Sequence, residues 1–223
     1  MRDKRSWLVV FITVLAFPCL SAYASTLSLR YSFDGAPYIT ISDTTPDYLI
    51  SVTDNTNIWT VSFQLGQGTP PLPPPATIDL MSGVTLANGG TGTLVVELSQ
   101  DDLLVPQLPA FTMQIGGTFT GSGLSVLYEA FADDENALFA STILLGSLGP
   151  FTKDDSPIAA QATSGIISLE SPYSLTQRLT FTAENSTQGS GFTGNALLFP
   201  EPSTLFLLGV GFLSLAYCAG RRK

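Results

Sequence analysis

Three acidic clusters carry the side chains of this chain that are best suited to chemistry. They are Asp101-Asp102, Asp133-Asp134-Glu135-Asn136 and Asp154-Asp155. Oxygen-rich loops of this kind can hold calcium, and a pair of carboxylates can hydrolyse a glycoside. However, no cluster has the spaced Asp-x-Asp-x-Asp-Gly pattern of a specific calcium loop, and adjacent residues of a strand point to opposite faces. We therefore interpret the clusters as solvated loop tips, and we predict no catalytic residue and no metal site.

The absence of histidine excludes more catalytic mechanisms than any other single feature of the sequence. Without it, neither a Ser-His-Asp triad nor a Cys-His pair can form, and zinc loses its usual nitrogen ligand. The only cysteines, Cys19 and Cys218, lie in the two end segments, so the part between them is predicted to contain no disulfide. We predict a protein that is not an enzyme and needs no cofactor, with weak calcium binding left open.

The first 24 residues have the three-part order of a signal peptide. Charged residues 1–5 precede an apolar run over residues 7–17, and Ala22-Tyr23-Ala24 forms a small-x-small cleavage site. We predict a signal-peptide helix within residues 1–24 and cleavage by signal peptidase between Ala24 and Ser25. Cys19 alone would suggest a lipoprotein, but the Phe17-Pro18 pair before it makes a poor lipobox.

The C-terminal end also has three parts: Pro200-Glu201-Pro202-Ser203-Thr204, an uncharged segment, and Arg221-Arg222-Lys223. Residues 203–220 would rise about 27 Å as a helix, which is close to the thickness of a bilayer core. We predict a transmembrane helix over these residues, with the basic tail 221–223 on the cytoplasmic side. The two prolines favour an extended chain just outside the membrane.

This tail closely resembles the PEP-CTERM sorting signal of Gram-negative bacteria, and the resemblance covers residues 200–223 alone. It implies processing by an exosortase, a membrane-embedded transpeptidase-like enzyme, after transient anchoring in the inner membrane. It further implies delivery to the cell surface or to the exopolysaccharide matrix of a biofilm. The alternative is a plain C-terminal anchor that is never cleaved.

Residues 25–199 are predicted to form one exported domain. Apolar and polar residues alternate over 27–33, 59–65 and 175–183, as in strands with one buried face. Weaker strand patterns cover 48–53, 91–98, 110–119, 124–131, 138–145, 158–169 and 192–199. Many short strands, glycine-rich turns and no long helical period predict an all-β fold, an antiparallel, jelly-roll-like β-sandwich with helices only at the two ends.

The charge of this domain limits its partners. Its basic residues are Arg30, Lys153 and Arg178, whereas most of the 18 acidic residues of the chain fall within it. Such a surface repels nucleic acid, so no nucleic-acid partner is expected.

Exposed aromatic rings would offer a different function, because they can stack on sugars. Trp59 belongs to a clean alternation and is predicted to be core, whereas Tyr38, Tyr48, Tyr128 and Tyr173 lie near loops or strand ends, where either role is open. The sequence thus predicts an exported, non-catalytic surface or matrix protein with a structural or adhesive role. The alternatives are a secreted carboxylate-dependent carbohydrate-active enzyme and a calcium-supported glycan-binding module.

Overall fold

The computed structural model describes residues 25–43, 49–56, 58–66, 78–86, 89–104 and 110–200. These residues form twelve β-strands and one short 3-10 turn, Lys153–Asp155. The strands are β1 Leu27–Phe33, β2 Ile39–Ser42, β3 Ile50–Asn55, β4 Trp59–Gly66, β5 Ile78–Leu86, β6 Gly90–Leu103, β7 Phe111–Thr120, β8 Leu124–Asp133, β9 Ile143–Thr152, β10 Ile158–Thr163, β11 Tyr173–Ser186 and β12 Ser190–Pro200. The predicted signal-peptide helix and transmembrane helix lie outside the described residues.

Two antiparallel sheets of six strands make up the fold. Sheet 1 has the order β2-β1-β6-β11-β8-β9, and sheet 2 has the order β10-β7-β12-β5-β4-β3. From β5 to β12 the chain follows a jelly-roll order, with β5-β12-β7-β10 on one side and β6-β11-β8-β9 on the other. The remaining strands extend each sheet by two. The predicted antiparallel β-sandwich is therefore confirmed.

Some predicted strand positions are wrong. The pattern over 138–145 was expected to be a strand, but β9 begins only at Ile143 and continues to Thr152. The strand expected over 158–169 ends at Thr163. Neither β2 nor β5 was predicted, although each is described as a strand.

The core lies between the two sheets and is filled by the inward-facing half of each alternation. Large side chains such as Trp59, Phe63 and Phe181 are almost fully buried there. Where the ring of Phe192 packs, the chain has no room for further side chains: a Cβ at Gly117 or Gly194 would overlap this ring. These glycines are needed for close packing, and neither has a positive φ.

The two ends of the sandwich differ in the length of their connections. Odd-numbered strands run towards one end, where each connection to the next strand has three to five residues. Even-numbered strands run towards the other end, where the connections have seven to eleven residues. We call these the turn end and the terminal end, because the start of β1 and the end of β12 both lie at the latter.

Candidate functional site

The last strand of the sandwich runs directly into the segment predicted to be a sorting signal. β12 ends at Pro200, which is paired with Phe111 of β7, one step beyond the pair formed by Phe199 and Thr112. No linker therefore separates the folded domain from Pro200-Glu201-Pro202. Glu201 to Thr204 and the basic residues Arg221, Arg222 and Lys223 lie outside the described residues.

The residue after the predicted signal cleavage is held by the fold. The Ser25 hydroxyl donates to the backbone oxygen of Asp101 at 2.8 Å, and the Thr26 N–H donates to the Asp101 carboxylate at 2.5 Å. Burial raises the pKa of Asp101, although the hydrogen bond from Thr26 opposes this shift. Ala22 and Ala24 lie outside the described residues, so cleavage before Ser25 stays a prediction.

Contacts across the terminal end connect the start of β1 to the end of β12. Asp101, which accepts the N–H of Thr26, lies two residues before Leu103 on β6. Leu103 is in turn paired with Tyr173 of β11. The ring of Tyr173 lies 6.4 Å from that of Phe111, which is paired with Pro200. The predicted signal cleavage site and the predicted sorting signal therefore adjoin the same end of the domain.

Several acidic side chains of the three clusters hold the connections between strands by hydrogen bonds, and Asp133 at the end of β8 is buried, not a solvated loop tip as expected. Asp102 and Asn136, from different clusters, form two reciprocal hydrogen bonds of 2.8 Å each. Asp133 accepts the Ala137 N–H at 2.9 Å and a nearby threonine hydroxyl at 2.6 Å, while Asp155 accepts the Thr152 N–H at 2.7 Å. In the described part of the chain, no group of three or more acidic side chains could hold a metal ion.

A row of four charged side chains crosses the outer face of sheet 1. Arg30, Glu97, Arg178 and Glu129 are cross-strand neighbours on β1, β6, β11 and β8. Glu97 is fully buried and accepts the Nε–H of both arginines, from Arg178 at 2.6 Å. Glu129 is more distant, at 3.8 Å from Nη1 of Arg178. We call these residues the ion-pair row; it uses two of the three basic residues of the predicted exported domain.

Aromatic rings cover the ion-pair row. The rings of Tyr38 and Phe139 lie 4.3 and 4.4 Å from the Arg30 guanidinium carbon, and the Phe131 ring lies 4.7 Å from that of Arg178. Phe139 has a φ of 61°, which is unusual for an aromatic residue, and its N–H donates to the Ser99 hydroxyl at 3.0 Å. The β8–β9 connection, residues 134–142, thus packs on the outer face of sheet 1.

The outward-facing residues of sheet 1 are therefore buried in large part. Those that are almost fully buried include Ser28, Glu97, Ser99, Ser174 and Thr176. Sequence reasoning missed this cluster, because the two arginines lie 67 and 81 residues from Glu97 and only the register of the folded sheet brings them together.

The outer face of sheet 2 is more open. A groove of about 340 Å³ runs over β10, β7 and β12, and we call it the amide groove; it is lined mainly by Gln114, Gly116, Ala159, Gln161, Asn195 and Leu197. Across its centre, Gln114 donates to Gln161 at 3.0 Å. Next to the groove, a line of directly paired residues crosses the strands of sheet 2, and we call it the register line. Four exposed hydroxyl side chains lie on it; they are Thr118, Thr193, Ser62 and Thr53.

The aromatic residues considered for sugar stacking have different environments. Trp59, Tyr128 and Tyr173 are buried, and burial raises the pKa of both tyrosines. The Tyr128 hydroxyl donates to the backbone oxygen of Leu197, so it serves the packing of the two sheets. Tyr38 is 44% exposed, but its ring lies against Arg30, and Tyr48 is outside the described residues.

Comparisons with known proteins give two kinds of result. No curated protein has a significant match to the chain. Among solved structures, TmCBM61 in complex with β-1,4-galactotriose has a TM-score of 0.35 and 11% identity, covering 65% of this chain and 90% of its own. A structure from the β-sandwich superfamily of carbohydrate-binding modules has a TM-score of 0.31 and 10% identity, covering 76% of this chain and 82% of its own. Similarities at this level say nothing about a ligand.

The C-terminal segment gives the clearest result. In the part of the chain that the structure describes, no helix is long and apolar enough to cross a membrane. Residues 200–223, which begin at the last residue of β12, match the PEP-CTERM protein-sorting motif. The chain therefore carries a PEP-CTERM protein-sorting motif at residues 200–223.

Proposed function

We propose that this protein is exported, processed at both ends and displayed at the cell surface or in the exopolysaccharide matrix, where it has a non-catalytic structural or adhesive role. The observation that carries this proposal is the PEP-CTERM motif over residues 200–223, which continues from β12 without a linker. The motif implies export, transient membrane anchoring and recognition by an exosortase. The final location and the role of the domain are our inference.

The geometry of the domain is compatible with anchoring at both ends. The start of β1 and the end of β12 lie together at the terminal end, so an uncleaved signal peptide and an uncleaved tail could both enter one membrane. Only Glu201 and Pro202 lie between Pro200 and the predicted helix, and the three residue steps from 200 to 203 span at most about 10 Å. The terminal end would then face the membrane, and the turn end would point away from it.

The use of the acidic side chains supports a structural role over a hydrolytic one. A glycosidase of the common type needs two carboxyl groups that flank one bond of the substrate. Here Asp102 and Asp133 hold the β8–β9 connection, Asp155 holds the 3-10 turn, and Asp101 holds the start of β1. These acids stabilise the backbone of the sandwich, which is what a display domain without disulfides requires.

Intact-mass measurement of protein recovered from the producing cells and from their matrix tests the proposal. We expect the matrix form to lack residues 1–24 and the tail that follows the Pro-Glu-Pro segment. A Glu201→Gln variant should accumulate with its tail intact, because it alters the recognised motif. A Glu184→Gln variant, changed at an exposed residue of the turn end, should be processed like the natural protein.

Two results would contradict the proposal. An intact C-terminal segment in every fraction would make the tail a plain membrane anchor. Full-length protein in the cytosol, with residues 1–24 still attached, would exclude export.

A further inference from the structure

We propose that the outer face of sheet 2 binds an extended chain of a neutral polysaccharide. This inference rests on the proposed function, because it assigns the adhesive surface of the displayed domain. The binding surface consists of the amide groove and of the register line beside it, which we call the hydroxyl row: Thr118, Thr193, Gly83, Ser62 and Thr53.

The outer face of sheet 2 is nearly uncharged. Of the outward-facing residues on the described strands of sheet 2, Asp79 alone is ionisable. The others are mostly threonine, serine, glutamine, asparagine and glycine. In a domain that is otherwise strongly acidic, this face lacks the cations that hold an anionic polymer and the cluster of carboxylates that holds a cationic one. Its hydroxyl and amide groups match the hydroxyl groups of an uncharged sugar.

The hydroxyl row has a spacing that suits an extended sugar chain. The hydroxyl row crosses β7, β12, β5, β4 and β3 in direct register, and its four hydroxyl residues are each exposed. Neighbouring strands lie about 4.8 Å apart, so the row extends over about 19 Å. One strand step is close to the length that a pyranose ring adds to an extended β-linked chain. A polysaccharide that crosses the strands could therefore meet a hydrogen-bonding side chain at most steps.

The amide groove beside this row offers further hydrogen-bonding groups. The bond between Gln114 and Gln161 uses Nε2 of the first and Oε1 of the second, which leaves Oε1 of Gln114 and Nε2 of Gln161 for a ligand. Asn195 adds a further amide, whose oxygen would lie 3.4 Å from a Cβ at Gly116. The glycine thus leaves a recess between amide groups, and a sugar hydroxyl could enter it.

Gly83, at the centre of the hydroxyl row, provides the sharpest test. A Cβ built there would have the Ser62 backbone oxygen as its nearest neighbour, at an ordinary 3.7 Å, and Gly83 is not among the residues with positive φ. The fold therefore does not require glycine at this position. A larger side chain would project from the outer face between Thr193 and Ser62 and would obstruct a bound chain.

Native gel electrophoresis in the presence of two polymers with the same backbone tests the proposal. Hydroxyethylcellulose is neutral and carboxymethylcellulose is anionic. We expect protein recovered from the producing cells to be retarded by the neutral polymer and much less by the anionic one at equal concentration. Gly83→Leu should weaken the apparent affinity by about tenfold or more, since it separates several hydrogen-bonding groups from the ligand.

Matched variants separate binding from folding. Gly165→Leu is the control for bulk, because Gly165 has an ordinary φ and no atom within 4 Å of an added Cβ, and it should bind normally. Should Gly83→Leu fold poorly, the double variant Thr118→Val and Thr193→Val keeps the side-chain shapes and should lose about fivefold or more in affinity. Thr180→Val, on the outer face of sheet 1, should have no effect.

The outcomes distinguish this inference from the proposed function. Normal processing without retardation by hydroxyethylcellulose would overturn the neutral-polysaccharide site and leave the proposed function intact. Retardation that Gly83→Leu and the double threonine variant do not reduce would place binding elsewhere and would also overturn it. Stronger retardation by carboxymethylcellulose would exclude a neutral ligand class.

Discussion

The outer faces of the two sheets have opposite properties, although their strands share the same alternating sequence pattern. On sheet 1, Glu97 at the centre of the ion-pair row is fully buried, and the rings of Tyr38 and Phe139 pack on its partner Arg30. On sheet 2, the hydroxyl row is exposed and carries no charge. Alternation therefore defines which residues face away from the core, but it does not determine whether water reaches them.

The difference arises mainly from one long connection, to which the β1–β2 connection adds the ring of Tyr38. Residues 134–142 leave the terminal end and pack on sheet 1, where the Phe139 ring contacts Arg30 and its N–H donates to Ser99. The buried carboxylate of Glu97 requires full pairing, and the two arginines provide it. On sheet 2, the groove over β10, β7 and β12 is open, so its side chains can meet a ligand.

The largest effect is expected from a substitution of the buried Glu97 in the ion-pair row of sheet 1. Glu97→Leu would leave two arginine side chains without their buried partner, and we expect a loss of about 3–5 kcal/mol in the free energy of unfolding. Glu129→Leu is the control, because Glu129 is partly exposed and 3.8 Å from its partner, and it should cost less than about 1 kcal/mol. Urea unfolding curves measure both; equal losses would show that burial does not strengthen this ion pair.

Local patterns predicted those parts of the fold that depend on one strand alone. The strand expected over 27–33 matches β1, and those expected over 59–65 and 175–183 lie within β4 and β11, because one face of each is buried and the other is polar. β9 was placed too early, since it contains Gly146, Gly149 and Pro150, which are typical of turns.

The covering of sheet 1 could not be predicted in this way. Glu97 was part of a predicted strand, but its environment depends on Arg30 and Arg178, which reach it through cross-strand register. Likewise, the hydroxyl row is visible only once five strands are aligned. The sorting motif, by contrast, depends on contiguous residues and was recognisable from the sequence.

A smaller effect on stability is expected from adding a methyl group to the inner face of sheet 2, compared with adding one to its outer face. Gly117→Ala would place a methyl group against the Phe192 ring and 2.9 Å from the Thr193 backbone oxygen, so we expect a loss of about 1–3 kcal/mol. Gly83→Ala, on the outer face, should change stability by no more than about 0.5 kcal/mol. Thermal unfolding of both variants is the measurement. If both alanines were tolerated equally, the interior of the sandwich would be looser than the contacts indicate.

The smallest effect tests how nearly neutral the outer face of sheet 2 is. Burial raises the pKa of Asp79 above its ordinary value of 3.8, and within the described residues its Oδ1 has no hydrogen-bond partner. The folded state therefore favours the protonated carboxyl group. Its contribution to stability is fully present below pH 3.8 and is lost as the pH rises through the higher pKa of the folded state.

Asp79→Asn removes this ionisation and should remove its pH dependence. Relative to the natural protein, the variant should gain stability as the pH rises from the acidic range to neutrality, by no more than about 1 kcal/mol. Melting temperatures measured in parallel over this pH range provide the check, with Asp134→Asn, at an exposed loop residue, as the control. A difference between variant and natural protein that stays constant with pH would mean that Asp79 is as well solvated as an ordinary carboxylate. In that case the face carries a full negative charge at one edge, and its preference for neutral over anionic polysaccharide should be correspondingly stronger there.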